Sequence, residues 1–170
     1  IMSIAGSLES LLAGDELPTD WRKDARAGLK VIATRADSLN RLMSSYARLA
    51  RLPKPRLSSV DVSEWVRRVS SLETRLPVTV TGGPAVRLEA DADQLDQLLI
   101  NLVRNAADAA LVTGGGVRIG WVERDGSVEL YVDDDGPGLA SDANLFVPFF
   151  TTKPGGTGIG LALCRQIAEV

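Results

Sequence analysis

Apolar positions follow one rhythm in the first third of this chain and several others after it, and the change comes near residue 53. Ile1, Ile4, Leu8 and Leu11 recur at spacings of three and four, which predicts an amphipathic helix over 1–13. Gly14, Asp15 and Pro18 interrupt it, and Thr19 or Asp20 can cap the next helix. Ala25, Leu29, Ile32, Ala36, Leu39, Met43, Tyr46 and Ala50 then step by four and three in strict alternation, a heptad seam. Leu42 and Leu49 widen the stripe beyond what a two-stranded coil needs. Two helices alone cannot cover a stripe that wide, so the pattern predicts a hairpin that pairs with a second copy into a four-helix bundle. A hairpin inside an ordinary globular core is the alternative.

Pro53 and Pro55 end the long helix, and 53–60 reads as a linker between unlike halves. Val62, Trp65, Val66 and Val69 return to helical spacing. Residues 78–81 alternate as a strand that stops at Gly82-Gly83, and 86–89 is a second strand candidate. Asp91 or Asp93 opens a long helix over about 92–111, with Leu95, Leu98, Leu99, Leu102 and Val103 on its apolar side. Gly114-Gly115-Gly116 closes it. Residues 117–123 and 127–133 read as an antiparallel hairpin turned at Asp125-Gly126. A last helix begins near 158. Helices mixed with antiparallel strands give an α+β class, with the second half an α/β sandwich. The expected domains are 1–52 and 61–170.

Composition narrows the class. Nineteen Lys and Arg against 22 Asp and Glu give a net charge of −3, so no overall basic field favours nucleic acid. No apolar run approaches the roughly 20 residues of a membrane span. The chain is therefore expected to be cytoplasmic, with no membrane contact of its own. Cys164 has no partner for an internal disulfide, and its place in a helical pattern predicts a buried apolar role. Apolar helical patterns run into both ends without caps, so the chain is expected to be part of something longer.

Four segments of the second half carry chemistry. Asn101 and Asn105 stand one helical turn apart, where both side-chain oxygens can face one hard cation. Asp108 follows on a similar face, as a supporting or a solvated group. Asp134 precedes Gly136-Pro137-Gly138; a carboxylate there can accept from an exocyclic amine while the glycines let a base approach the backbone. Phe146, Phe149 and Phe150 bracket Pro148 ahead of Thr151, Thr152 and Lys153. On one reading at least one Phe packs in the core; on the other the three anchor a hinge under a mobile loop, from which Lys153 can reach a phosphate. Gly155, Gly156, Gly158 and Gly160 lead into the last helix, whose N-terminus attracts phosphate oxygens. No strand precedes these glycines and no Gly-Lys-Ser/Thr follows, so neither a dinucleotide fingerprint nor a P-loop is present.

In order and spacing these segments resemble the N box (101–110), first glycine box (134–138), F box (146–153) and second glycine box (156–160) of sensor histidine kinases, within the wider GHKL ATPase group of Bergerat fold. Residues 1–51 are similar to the dimerisation and phosphotransfer hairpin of that family. The opening Ile1-Met2-Ser3-Ile4-Ala5 and the short F-to-glycine loop look like the NtrY-like nitrogen-regulation subfamily. The resemblance implies ATP and Mg²⁺ as ligands, with Asn105 and Asn101 holding the metal. It implies that Asp134 reads the adenine amino group and that Gly136 and Gly138 shape the base pocket. Phe150, Thr152, Lys153, Gly156, Thr157, Gly158, Ile159, Gly160 and Leu161 complete the expected ATP contacts, with Asp108 beside them. A γ-phosphoryl group would pass to a histidine and then to an aspartate of a response-regulator receiver domain. The chain has no histidine, so the acceptor is expected upstream of Ile1 and autophosphorylation is not expected of these residues alone. The full protein is allowed an inner-membrane anchor outside this segment. The alternative is a GHKL module without histidine chemistry, a serine kinase or an ATPase; the latter would want a water-activating Glu where Asn101 stands.

Overall fold

The computed structural model describes residues 2–13, 19–50, 53–139, 144–153 and 156–169, without the side chains of 2, 3, 41, 42 and 44–50. It divides into two units, Ile1–Ala50 and Arg51–Val170.

The first unit is a pair of helices, α1 (Met2–Leu12) and α2 (Trp21–Ala50). They approach closely at Gly28, where an added Cβ would lie 3.0 Å from the Leu8 side chain. Ala25, Ile32 and Ala36 of the seam are half-buried, while Leu29, Leu39 and Met43 stay exposed. The expectations for Leu42, Tyr46, Leu49 and Ala50 fall on side chains outside the described set.

The second unit begins with β1 (Ser58–Asp61), followed by α3 (Val62–Ser70), β2 (Val78–Gly82), β3 (Arg87–Ala90), α4 (Ala92–Thr113), β4 (Val117–Arg124), β5 (Ser127–Asp134) and α5 (Gly160–Ala168). Local chemistry starts the helices. Asp61 Oδ1 accepts from Glu64 N at 3.1 Å to cap α3, and Asp91 Oδ1 accepts from Gln94 N at 3.0 Å to cap α4. The β4–β5 turn places Asp125 and Gly126 both at positive φ, 52° and 75°, which matches the twist of the flanking strands.

Two expectations need correction. Residues 53–60 are not a plain linker: Ser58–Asp61 form β1 and pair antiparallel with β3. Gln94 Nε2 donates to Pro53 O at 3.0 Å and Arg56 N donates to Asp91 Oδ2 at 2.7 Å, so the start of α4 holds this segment. Nor are the strands all antiparallel. The larger sheet has the order β2-β4-β5, and β2 runs parallel to β4. Both corrections concern pairing between distant segments, which alternation along one segment cannot specify.

The central strand β4 buries Val117, Ile119 and Trp121. Against the sheet α3 supplies Val62, Trp65, Val66 and Val69, and α4 supplies Leu99, Val103, Ala106, Ala107 and Ala110. The alanines let α4 lie close to the sheet. Helix α5 packs on α4 through Ala162, Leu163, Cys164 and Ile167, all buried. What remains of α4 is the side carrying Asn101, Asn105, Asp108 and Ala109, each only half-buried.

Candidate functional site

Helix α4 is the wall to which the other segments attach. At one end Asn101 faces the start of α5: an added Cβ on Gly160 would lie 3.8 Å from Asn101 Oδ1. That same oxygen accepts from Gln97 Nε2 at 3.3 Å. One turn on, Asn105 Oδ1 accepts from Lys153 Nζ at 3.2 Å. Asp108 then takes Lys153 Nζ at 2.8 Å on Oδ2 and Arg75 Nη1 at 2.6 Å on Oδ1. At the next residue Ala109 abuts the first glycine turn. A Cβ on Gly136 would come within 2.6 Å of Ala109 Cβ and of Asp134 Oδ1, so only glycine fits there. The segments 134–138, 146–153 and 156–160 therefore meet along one side of α4, beside residues 101–109.

Each segment has its own local support. Asp134 Oδ1 accepts from Gly136 N at 2.9 Å, which orients the exposed carboxylate over the turn. The neighbouring Asp135 points into structure instead. It accepts from Gly116 N at 3.1 Å and from both terminal nitrogens of Arg118, and Thr113 Oγ1 donates to its carbonyl at 2.8 Å. The Arg118 bond, then the Gly116 bond, holds the Asp135 carboxyl below its ordinary value.

The F segment is clamped to the second glycine turn. Phe149 N donates to Gly158 O at 2.8 Å, and Phe149 itself sits at φ 70°, uncommon for a bulky residue. Gly158, at φ 65°, allows this: a Cβ there would meet Phe149 and Phe150 backbone at 2.5–2.7 Å. All three Phe stay 44–48 % exposed, so the expected core Phe is not found. Arg165 of α5 stacks over Phe146 at 5.9 Å instead. Thr151 Oγ1 accepts from Lys153 N at 3.1 Å, while Thr152 and Gly138 lie exposed beside the site.

Helix α5 begins differently from α3 and α4. Its first turn follows Ile159, and no side chain caps it. Gly156, Thr157, Gly158, Ile159, Gly160 and Leu161 thus lead into a helix start with no side-chain cap among the described residues. Cys164, one turn further, is buried as expected; burial pushes its thiol up to about 11, and Sγ lies 3.5 Å from Leu98 O.

Arg75 was not legible as a site residue. It reaches Asp108 across 33 positions from the loop after α3, and no local pattern marks it. Glu73 grips it from the same loop at 2.6 Å. Partial burial alone would push the Asp108 carboxyl up; the bonds from Lys153 and Arg75 outweigh it and hold the group below its ordinary value. A cavity of about 290 Å³ lies beside Arg75, lined by Glu73, Ile100 and Arg104 among others, and none of Asn101, Asn105 or Asp134 reaches it.

Residues 90–170 match the family model described as histidine kinase-, DNA gyrase B- and HSP90-like ATPase. The solved catalytic domain of histidine kinase ThkA is 31 % identical, with 67 % of this chain aligned to 80 % of that domain at a TM-score of 0.59. This chain belongs to the histidine kinase family. Sensor histidine kinase ZraS of Klebsiella oxytoca is 36 % identical over 149 residues, 82 % of this chain and 32 % of that protein. The chain thus spans a fifth to a third of the length of curated histidine kinases it matches. ThkA solved with the response regulator protein TrrA aligns with 98 % of this chain and 49 % of ThkA at 23 % identity and a TM-score of 0.64, a likeness of fold. The α+β expectation, with its GHKL-type ATP-binding half, holds. Among the described residues no helix is long and apolar enough to cross a membrane.

Proposed function

We propose that this chain is the core of a protein histidine kinase, and that its second unit binds ATP with Mg²⁺ along α4. The observation carrying the reading is the meeting of Asn101, Asn105, Asp108, Gly136, Lys153 and Gly160 on one side of that helix. The donor set suits magnesium: Asn105 offers a hard oxygen that already accepts a cationic group, and magnesium takes few protein oxygens when phosphates supply the rest. Asn105, with Asn101, would hold the metal, which neutralises phosphate charge when bound. Asp134 would accept from the adenine amino group beside Gly136 and Gly138. The uncapped start of α5, with Gly156, Thr157, Gly158, Ile159, Gly160 and Leu161, would receive phosphate oxygens. Phe150 and Thr152 would border the nucleotide.

In the whole protein the γ-phosphoryl group would pass to a histidine and then to a receiver-domain aspartate. No histidine lies in these 170 residues, so the chain by itself would bind nucleotide without retaining acid-labile phosphate. Residues 1–51 would form the homodimer, supported by the uncovered Leu29, Leu39 and Met43. We place the chain in the cytoplasm and within the NtrY-like subfamily on sequence grounds. The GHKL reading without histidine chemistry has less support, since the family match is to histidine kinases.

Calorimetric titration of the chain with an ATP analogue tests the site. Asn105→Ala is expected to weaken Mg²⁺-dependent binding by about ten- to hundred-fold, the range for losing one bond to a charged group. Unchanged affinity would refute the proposed metal grip.

A further inference from the structure

Lys153 Nζ lies 3.2 Å from Asn105 Oδ1 and 2.8 Å from Asp108 Oδ2. The amide oxygen assigned above to the metal therefore already faces a positive charge. Asp108 is itself held: its other oxygen takes Arg75 Nη1 at 2.6 Å, and Glu73 grips Arg75 at 2.6 Å. Glu73, Arg75, Asp108 and Lys153 form a row of alternating charge from the loop after α3 to the F segment. With one Asp108 oxygen fixed by Arg75, the second is left facing Lys153. Thr151 Oγ1 and the Lys153 carbonyl, which accepts from Gly156 N at 3.1 Å, fix the backbone behind it.

We infer that Lys153, positioned by Asp108, is a built-in cation on the metal-binding oxygen of Asn105, and that magnesium–nucleotide must displace it. This rests on the proposed nucleotide site and assigns the residue that sets its preference for metal-bound over metal-free nucleotide. Two cations sharing one neutral oxygen repel strongly at such distances. Magnesium therefore competes with the ammonium for Asn105. Without metal, the ammonium is the positive charge nearest the incoming phosphates. Lys153 thus weakens the binding of magnesium–nucleotide and strengthens that of free nucleotide. Both effects compress the enhancement that magnesium gives.

The test is calorimetric titration of the 170-residue chain with ADP, once in Mg²⁺ and once in EDTA, reading the dissociation constant in EDTA divided by that in Mg²⁺. Lys153→Met is expected to raise that ratio about three- to five-fold, the size of one exposed charge contact. Lys153→Arg keeps the charge and is expected to stay near the parent ratio. Asp108→Asn loosens the ammonium and is expected to raise the ratio by less. An unchanged or lower ratio in Lys153→Met overturns the inference: Lys153 is then a phosphate ligand in both forms, or only a tether. Thermal unfolding identifies the tether, through a lower Tm with the ratio unmoved. A parent chain that binds ADP tightly only with Mg²⁺, beside a flat ratio in Lys153→Met, sinks this inference alone. A parent chain that binds no nucleotide sinks the site and the inference together.

Discussion

The two units treat their apolar residues in opposite ways. In the second, Val62, Val66, Leu99, Ala107 and Ile119 are wholly buried. In the first, Leu29, Leu39 and Met43 stay 59 %, 53 % and 58 % exposed, although they belong to the most regular apolar repeat in the sequence. A sheet with helices on one side encloses a core within one copy. Two helices share a single seam; α1 meets α2 closely at Gly28, while Leu29, Leu39 and Met43 stay uncovered. Regular periodicity therefore states which residues seek burial, not whether the same chain can bury them.

Core truncation gives the sharpest contrast. Leu99→Ala should destabilise the second unit by about 2–5 kcal/mol in a denaturant melt, through lost transfer energy and a cavity. Leu39→Asp should leave that unit within about 0.5 kcal/mol of the parent, while sedimentation shows the loss of the proposed dimer. A dimer that survives Leu39→Asp would break the contrast, because the uncovered stripe would then not be the interface. A smaller effect sharpens the picture inside the second unit. Asp61→Ala removes the side-chain cap of α3 and should cost about 1 kcal/mol in the same melt.

The smallest effect is a pH dependence. Arg118 and the Gly116 N–H lower the folded Asp135 carboxyl, so the unfolded chain binds its proton at higher pH. The stability from this contact is complete above the unfolded value, about 3.9. It is lost as pH falls from there through the depressed folded value. Acid melts should show Arg118→Met losing less stability than the parent over that window, whereas equal slopes would remove Asp135 from the account.

Much of the site was legible because its parts are local. Asn101 and Asn105 share a face by helical spacing alone, and the glycines near 136 and 158 mark turns without reference to anything distant. The hairpin at Asp125-Gly126 was legible for the same reason, since its dipeptide suits the turn that the strands require. Asp134 and Asp135 show where this stops. Adjacent carboxylates look alike in sequence; only the arrival of Arg118 and Gly116 commits Asp135 to structure and leaves Asp134 over its turn. The Phe cluster shows it too, since the clamp between Phe149 and Gly158 holds the F segment at the surface, where one reading of the sequence placed a Phe in the core.

Sequence alone determined the kind and order of every described element but β1, and the boxes whose spacing identifies a histidine kinase, because each depends on residues within a few turns of one another. Tertiary structure decided the parallel pairing of β2 with β4, the strand made from 58–61, and the ion pairs by which Arg75 and Lys153 converge on Asp108. Those partners lie dozens of residues apart, and no local preference encodes a contact that exists only once the chain has closed on itself.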